Sequence, residues 1–239
     1  MTEEAATPEL WNDPKYRKTL IQMMESQAYR ELAAALMFGY GLQFVPSLKW
    51  LKFMTWHIRE EMEHYEAVVK QYEEFTGESV EPVVNARLDK KPIPFAQSWY
   101  ELAMAQFLYD RGGFWQLQEY QDCSFHPYRN TIQKILKEEA GHQDLGERIV
   151  VELSQSGEFE DEKKPIFAKW LRIGLLSFGR PKTEGNRYAM EVGLKRRDSG
   201  EVMQDFLNDI KPAVRNCSLQ FPDPATLEME FPDDLDWSL

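Results

Sequence analysis

An all-α fold follows from three features of this 239-residue sequence. Apolar residues recur at spacings of three and four through four stretches of about 25–30 residues, which keeps them on one face of a helix. Gly and Pro breakers group these stretches into two hairpins separated by a longer connection. No run alternates apolar and polar residues as a half-buried strand does. Together these describe a four-helix bundle.

The first helix is expected over about 15–41, where Leu20, Met23, Met24, Ala28, Leu32, Ala35 and Leu36 carry the pattern. Gly39 and Gly41 weaken its end, and Pro46 opens the next element. A second helix spans about 47–75 and stops at Thr76-Gly77. Residues 78–94, with three prolines and Lys90-Lys91, read as a linking loop. A third helix is expected over about 96–122, broken at Ser124-Phe125-His126-Pro127, and a fourth over about 127–153. After Gly157 the pattern changes to a helix near 164–178, a loop over 179–185 and a helix over 199–217. The acidic, proline-containing tail 221–239 is expected to be extended. This divides the chain into a bundle domain, 1–157, and C-terminal helices and tail, 158–239, packed on it.

Composition narrows the function classes. A formal charge of −12 argues against a nucleic-acid binder, whose phosphate affinity rests on clustered Lys and Arg. No apolar run approaches the length that crosses a bilayer, and MTEEAATPELW at the N-terminus lacks the basic and apolar regions of a secretory signal. The expected location is the cytoplasm, with no membrane partner. Cys123 and Cys217 make neither a disulfide framework nor a thiolate site, and two free thiols are expected.

The chemistry lies in a repeated motif. The second helix carries Glu61-Met62-Glu63-His64 and the fourth Glu139-Ala140-Gly141-His142, both Glu-x-x-His. Positions i and i+3 share a helix face, so each motif aims a carboxylate and an imidazole at one spot. Two such pairs completed by one carboxylate from each remaining helix make a di-metal carboxylate centre. Oxygen and imidazole donors suit iron or manganese, and the lack of thiolates disfavours an iron–sulfur cluster.

Hairpin spacing selects the other ligands. Glu61 lies about 17 residues after the first turn and Glu31 about 13 before it, so the 1.5 Å rise puts them at one level. Glu25 is farther off and is assigned to the surface. Across the second turn, Asp110 matches Glu139 in level, whereas Glu119 lies too near the turn. The metal set is therefore Glu31, Glu61, His64, Asp110, Glu139 and His142. His57 shares their face, four residues before Glu61. It is the candidate catalytic side chain, as an orienter or proton relay, with a plain hydrogen bond to a carboxylate as the alternative. Glu60, Glu63 and Glu138 are expected to be solvated or to support the ligands, and His126 to be structural. Met37, Phe38, Phe107, Phe114 and Trp115 near the metal level suit either core packing or an apolar substrate pocket.

The stretches YREL around Glu31, EEMEH ending at His64, Asp110 through Pro127-Tyr128 to KEEAGH, SFGRP at 177–181 and FPDP at 221–224 resemble a known family. They are similar to the catalytic A subunits of multicomponent phenylacetyl-CoA epoxidases, within the ferritin-like superfamily, from about Thr19 to Trp237. The resemblance implies a ferritin-like di-iron monooxygenase that activates O2 and adds one oxygen atom to an aromatic ring carried as a CoA thioester. It implies two iron ions, electrons from an external flavin and iron–sulfur reductase, and a similarly folded partner subunit, with a homo-oligomer as the alternative. The same six ligands match the family's metal positions, and His57 stands where the family carries a lysine. Lys195-Arg196-Arg197 lies where a CoA phosphate would be held, with an exposed basic face as the alternative. Competing expectations are another di-iron oxidase, acting on an aldehyde or arylamine, and a silent structural subunit. Six intact ligands count against the silent subunit, and the C-terminal helices count against an iron-storage shell.

Overall fold

A computed structural model describes residues 10–91 and 93–239, with only the backbone at 140 and 143. The reading of the extreme N-terminus, residues 1–9, lies outside the described residues. Those described are helical and contain no strand, as the ferritin-like expectation requires. Among them no helix is long and apolar enough to cross a membrane.

Helix α1 spans Pro14–Gly41. Pro14 occupies its first turn, where a missing N–H is harmless, and the Asp13 side chain accepts from the Tyr16 N–H. Helix α2, Leu48–Thr76, is capped by Ser47 and closes on Gly77, whose φ of 77° satisfies a left-handed C-terminal turn. The segment expected as a loop contains helix α3, Glu81–Lys90, a correction to the reading of 78–94. Its proline falls in the first turn and breaks nothing, Val84 is fully buried, and Arg87 reaches Glu25 of α1 at 2.9 Å.

The third long helix is interrupted. It runs as α4, Trp99–Ala105, then a π-helical turn, Gln106–Asp110, then α5, Arg111–Gln118, and ends in turns before residue 122. Helix α6 spans His126–Gln155. Beyond it lie α7, Lys163–Leu175, α8, Glu184–Glu191, and α9, Ser199–Asn216. Helix α8 is an addition to the expected pattern; Thr183 caps it by accepting from the Asn186 N–H, and Gly185 sits harmlessly in its first turn. The tail forms one short 3-10 turn, Pro224–Leu227, and Trp237 packs edge-on against Phe221 and Phe231.

The bundle core is two apolar clusters with a polar layer between them. Leu20, Met24, Ala28, Val68, Tyr72, Ile132 and Ile135 belong to one, and Phe38, Met54, Met104, Phe107, Leu108 and Ile149 to the other. On every long helix the change from one cluster to the other occurs around Glu31, residues 57–64, Asp110 or residues 139–142. Burying carboxylates costs heavily unless they are paired or hold a cation, so the layer exists for its chemistry.

Backbone grips the π turn from both sides. A Cβ at Gly146 of α6 would stand 2.6 Å from the Phe107 nitrogen, and one at Gly174 of α7 would stand 2.8 Å from the Leu108 carbonyl oxygen. Only glycine permits these approaches. Gly146→Ala is expected to lower stability by about 1–3 kcal/mol through overpacking, read by chemical denaturation. The same shift would displace Asp110 and weaken metal retention.

Candidate metal centre

All seven side chains singled out in the sequence meet in this layer, each buried to at least 96%. They form two overlapping groups whose ligand atoms lie within 4.8 Å of one another: Glu31, Glu61, His64 and Glu139; and His57, Glu61, Asp110 and His142. Glu61 belongs to both. His64 Nδ1 lies 3.0 Å from Glu139 and 3.8 Å from Glu31, and His142 Nδ1 lies 3.5 Å from Glu139 and 3.6 Å from Glu61. The π turn brings Asp110 Oδ2 within 3.4 Å of His57 Nε2. Such turns occur frequently at functional sites.

The donor atoms fit a cation pair. His64 Nδ1, His142 Nδ1 and Asp110 Oδ2 are buried without a hydrogen-bond partner. Polar atoms left so are rare unless something else satisfies them. Each histidine's other nitrogen is held from across the bundle. His64 Nε2 donates to Glu138 of α6 at 2.9 Å, and His142 Nε2 donates to Glu60 of α2 at 2.7 Å. A carboxylate on one ring nitrogen orients the ring and leaves the other as the ligand. His57 differs: the Gln106 amide contacts its Nδ1 at 3.3 Å, and its Nε2 contacts Glu61 Oε1 at 2.8 Å. Because an amide nitrogen only donates, Nδ1 accepts, and the His57 proton sits on Nε2 facing Glu61. Its ring packs 4.1 Å from that of His142 and 4.5 Å from that of Phe38.

Four carboxylates in one apolar layer perturb each other strongly. Burial, then the neighbouring carboxylates Glu139, Glu31 and Asp110, holds Glu61 well above the ordinary range. Asp110 is raised well above it by burial and by Glu139 and Glu31. Glu31 is raised by burial, partly offset by His64. Burial would raise Glu139 too, but the His142 and His64 imidazoles beside it reverse this and lower it. Burial alone would depress His64, yet Glu139 and Glu31 push it up to about 9, and His142 rises for similar reasons. Burial and the His142 charge hold His57 well below its usual value, so it is neutral near neutral pH.

A cavity of about 20 Å³ lies within the layer, lined by Gln27, Arg30 and Ala34 of α1, the four carboxylates, and Tyr109, Gly113 and Leu117. That volume holds one water-sized group.

Several readings of individual residues change. Glu25 is not a free surface carboxylate; it is mostly buried and pairs with Arg87 of the unexpected helix α3. Glu119 lies outside the cluster as expected, buried and tied to Arg197. The basic run is largely spent on internal partners: Lys195 donates to Asn186 and Ser199, and Arg197 to Glu119 and Asp205. Met37, Phe38 and Phe107 are core, whereas Phe114 and Trp115 are half-buried and Trp115 donates to Asp209. Sequence reasoning missed Gln27, Arg30 and Gln106. Gln27 and Gln106 sit four residues from Glu31 and Asp110, one helical turn away on the same face, and each contacts the cluster. Of Glu60, Glu63 and Glu138, expected to be solvated or to support the ligands, Glu60 and Glu138 each back a histidine across the bundle, whereas Glu63 is exposed and pairs with Arg59.

The family model described as phenylacetic acid catabolic protein matches residues 1–232. The chain is also similar to the A subunit of 1,2-phenylacetyl-CoA epoxidase from Escherichia coli (strain K12). The two are 24% identical over 236 residues, covering 93% of this chain and 74% of that one. With its helical bundle and buried carboxylate–histidine clusters of metal-binding type, the chain belongs to the phenylacetic acid catabolic protein family.

Proposed function

We propose that this protein is a di-iron monooxygenase that adds an oxygen atom to an aromatic or acyl CoA thioester, with electrons from an external flavin and iron–sulfur reductase and a similarly folded partner subunit. The observation that carries the reading is the pair of overlapping clusters sharing Glu61, with three buried donor atoms left without hydrogen bonds and both histidines backed by carboxylates. The similarity to a subunit of an epoxidase supports the CoA-thioester substrate and the multi-subunit assembly.

Glu31, Glu61, His64, Asp110, Glu139 and His142 would hold the ions. Two irons bound there would supply O2 activation and the Lewis acidity for oxygen transfer. The chain's own contribution is geometric and protonic. Glu60 and Glu138 fix the imidazole rings, the two apolar clusters exclude water, and the glycine-clamped π turn positions Asp110. His57 holds a proton at Nε2 against Glu61, where it steadies the carboxylate shared by both groups. His57→Ala is therefore expected to keep two metals per chain while losing most turnover. A drop to one metal would instead make His57 a ligand.

The test is turnover of phenylacetyl-CoA with O2 and a chemical or enzymatic electron donor, assayed for a product carrying one atom from 18O-labelled O2. Product formation supports the reading. A metal-loaded protein, supplied with its partner subunit, that consumes no O2 with any CoA thioester contradicts it.

A further inference from the structure

We propose that Trp56 is an oxidisable exit from the metal centre: when O2 reacts there without substrate, its indole supplies the missing electrons and is the side chain that becomes oxidised. The inference rests on the metal reading above and adds to it a residue outside the ligand set.

Trp56 lies on α2, one turn before Glu60. Its ring stands edge-on to the His142 imidazole, with centroids 5.5 Å apart and planes at 84°. His142 has no exposed surface, whereas Trp56 is 41% exposed. One side chain therefore reaches from the ring of a ligand to water. Phe53 packs against both Trp56 and His57, but a benzene ring is far harder to oxidise than an indole. The other tryptophans near the bundle pack elsewhere: Trp50 against Trp99, Trp115 on Asp209 and Trp170 on Glu101.

Tyr109 is the competing ring, since it lines the cavity in the layer. A phenol loses its proton as it is oxidised, and the Tyr109 hydroxyl donates to the Arg30 carbonyl oxygen at 3.2 Å, too weak a base to take that proton. The Arg30 guanidinium also lies over the ring, 5.3 Å from its centroid, where a positive charge opposes electron loss. Trp56 meets neither obstacle. Water reaches its ring, and among the described residues no Lys or Arg stacks over it.

The electron count requires such a donor. Reducing O2 to two waters takes four electrons and four protons. Two ferrous ions give two electrons, and in productive turnover the substrate consumes the remaining oxidising power. Without substrate, Trp56 gives the other two electrons in successive one-electron steps. Each time its N–H proton passes to water, and a hydrogen atom from a thiol or ascorbate restores the indole. When no such reductant is present, the indole radical combines with O2, and a carbon–oxygen bond on the ring marks the residue.

The test is a peptide map by mass spectrometry of full-length wild type, loaded anaerobically with Fe(II), freed of excess metal and exposed to O2 without substrate. Because Trp56 is also an exposed tryptophan, the same protein loaded with redox-inert Zn(II) sets the background. Oxygen on Trp56 is expected at several-fold the Zn(II) level, and ascorbate is expected to suppress it. Equal marking in the Fe(II) and Zn(II) proteins overturns the proposal, as does marking that falls on Tyr109 instead. Trp56→Phe keeps a ring beside His142 without the indole. Over repeated O2 exposures with ascorbate it is expected to lose iron faster than wild type, and equal loss overturns the exit role. The wild-type map decides alone if that variant fails to load. A loaded protein that takes up no O2 counts against the oxygenase reading; hydrogen peroxide then serves as oxidant on the ferric protein, and an unmarked Trp56 overturns this inference. A wild type that binds no iron overturns the metal reading and this inference with it.

Discussion

Glu61→Ala is expected to yield a folded helical protein that no longer holds a metal pair. Glu61 belongs to both four-residue groups, and its Oε1 lies 2.8 Å from His57 Nε2 and 3.6 Å from His142 Nδ1. Its loss removes a donor from each position at once. In the metal-free protein the same carboxyl is a liability, because burial and three neighbouring carboxylates disfavour its charged form. The metal-free variant should therefore melt no lower than metal-free wild type, by circular dichroism. The difference appears on adding metal. At a hundred-fold excess over Kd, a bound ion stabilises the native state by about 2.7 kcal/mol, and the variant should lose that gain. A variant that still binds two ions with an unchanged melting shift would place the centre elsewhere.

Metal-free wild type should lose stability steadily between pH 6.5 and 9. His64 is raised from 6.5 to about 9 in the native state, so the folded protein binds its proton more tightly than the unfolded chain does. That stabilisation is complete below pH 6.5 and is lost as pH rises through 9, a change on the order of 3 kcal/mol. His142 is raised and acts in the same direction; Glu31, Glu61 and Asp110 are raised too, so their contributions also decline with rising pH, starting from the ordinary carboxylate value. Glu139 is lowered and acts oppositely, but its contribution is lost only as pH falls below the ordinary carboxylate value. Cations displace these protons, so the metal-loaded protein should hold its stability across the window in which the metal-free protein declines. Urea unfolding at several pH values, with and without metal, checks both curves. A metal-free protein that grows more stable from pH 6.5 to 9 would mean that the cluster is not buried as described.

The four long helices were legible because their periodic apolar faces outlast every local irregularity. The two Glu-x-x-His motifs were legible because helix geometry alone places i and i+3 together. Level-matching across each hairpin then separated Glu31 from Glu25 and Asp110 from Glu119, and both choices lie in the layer that the structure shows. What escaped depends on contacts between distant segments. Helix α3 was obscured by a proline that does no harm in a first turn, and its partner Glu25 is distant in sequence. The π turn leaves no periodic signature, and the glycines packed against it, Gly146 and Gly174, come from two other helices. The basic run 195–197 was read as a CoA-phosphate holder or an exposed face because its acceptors, Glu119, Asp205 and Asn186, lie in three separate places.

The most direct measurement is iron bound per chain after anaerobic loading with Fe(II) and removal of excess metal, made alongside Glu61→Ala. The account predicts two irons per wild-type chain and fewer than two in the variant, with both proteins equally helical. A folded wild type that retains one iron or none, or a variant that retains both, would contradict a centre built from the two clusters that share Glu61.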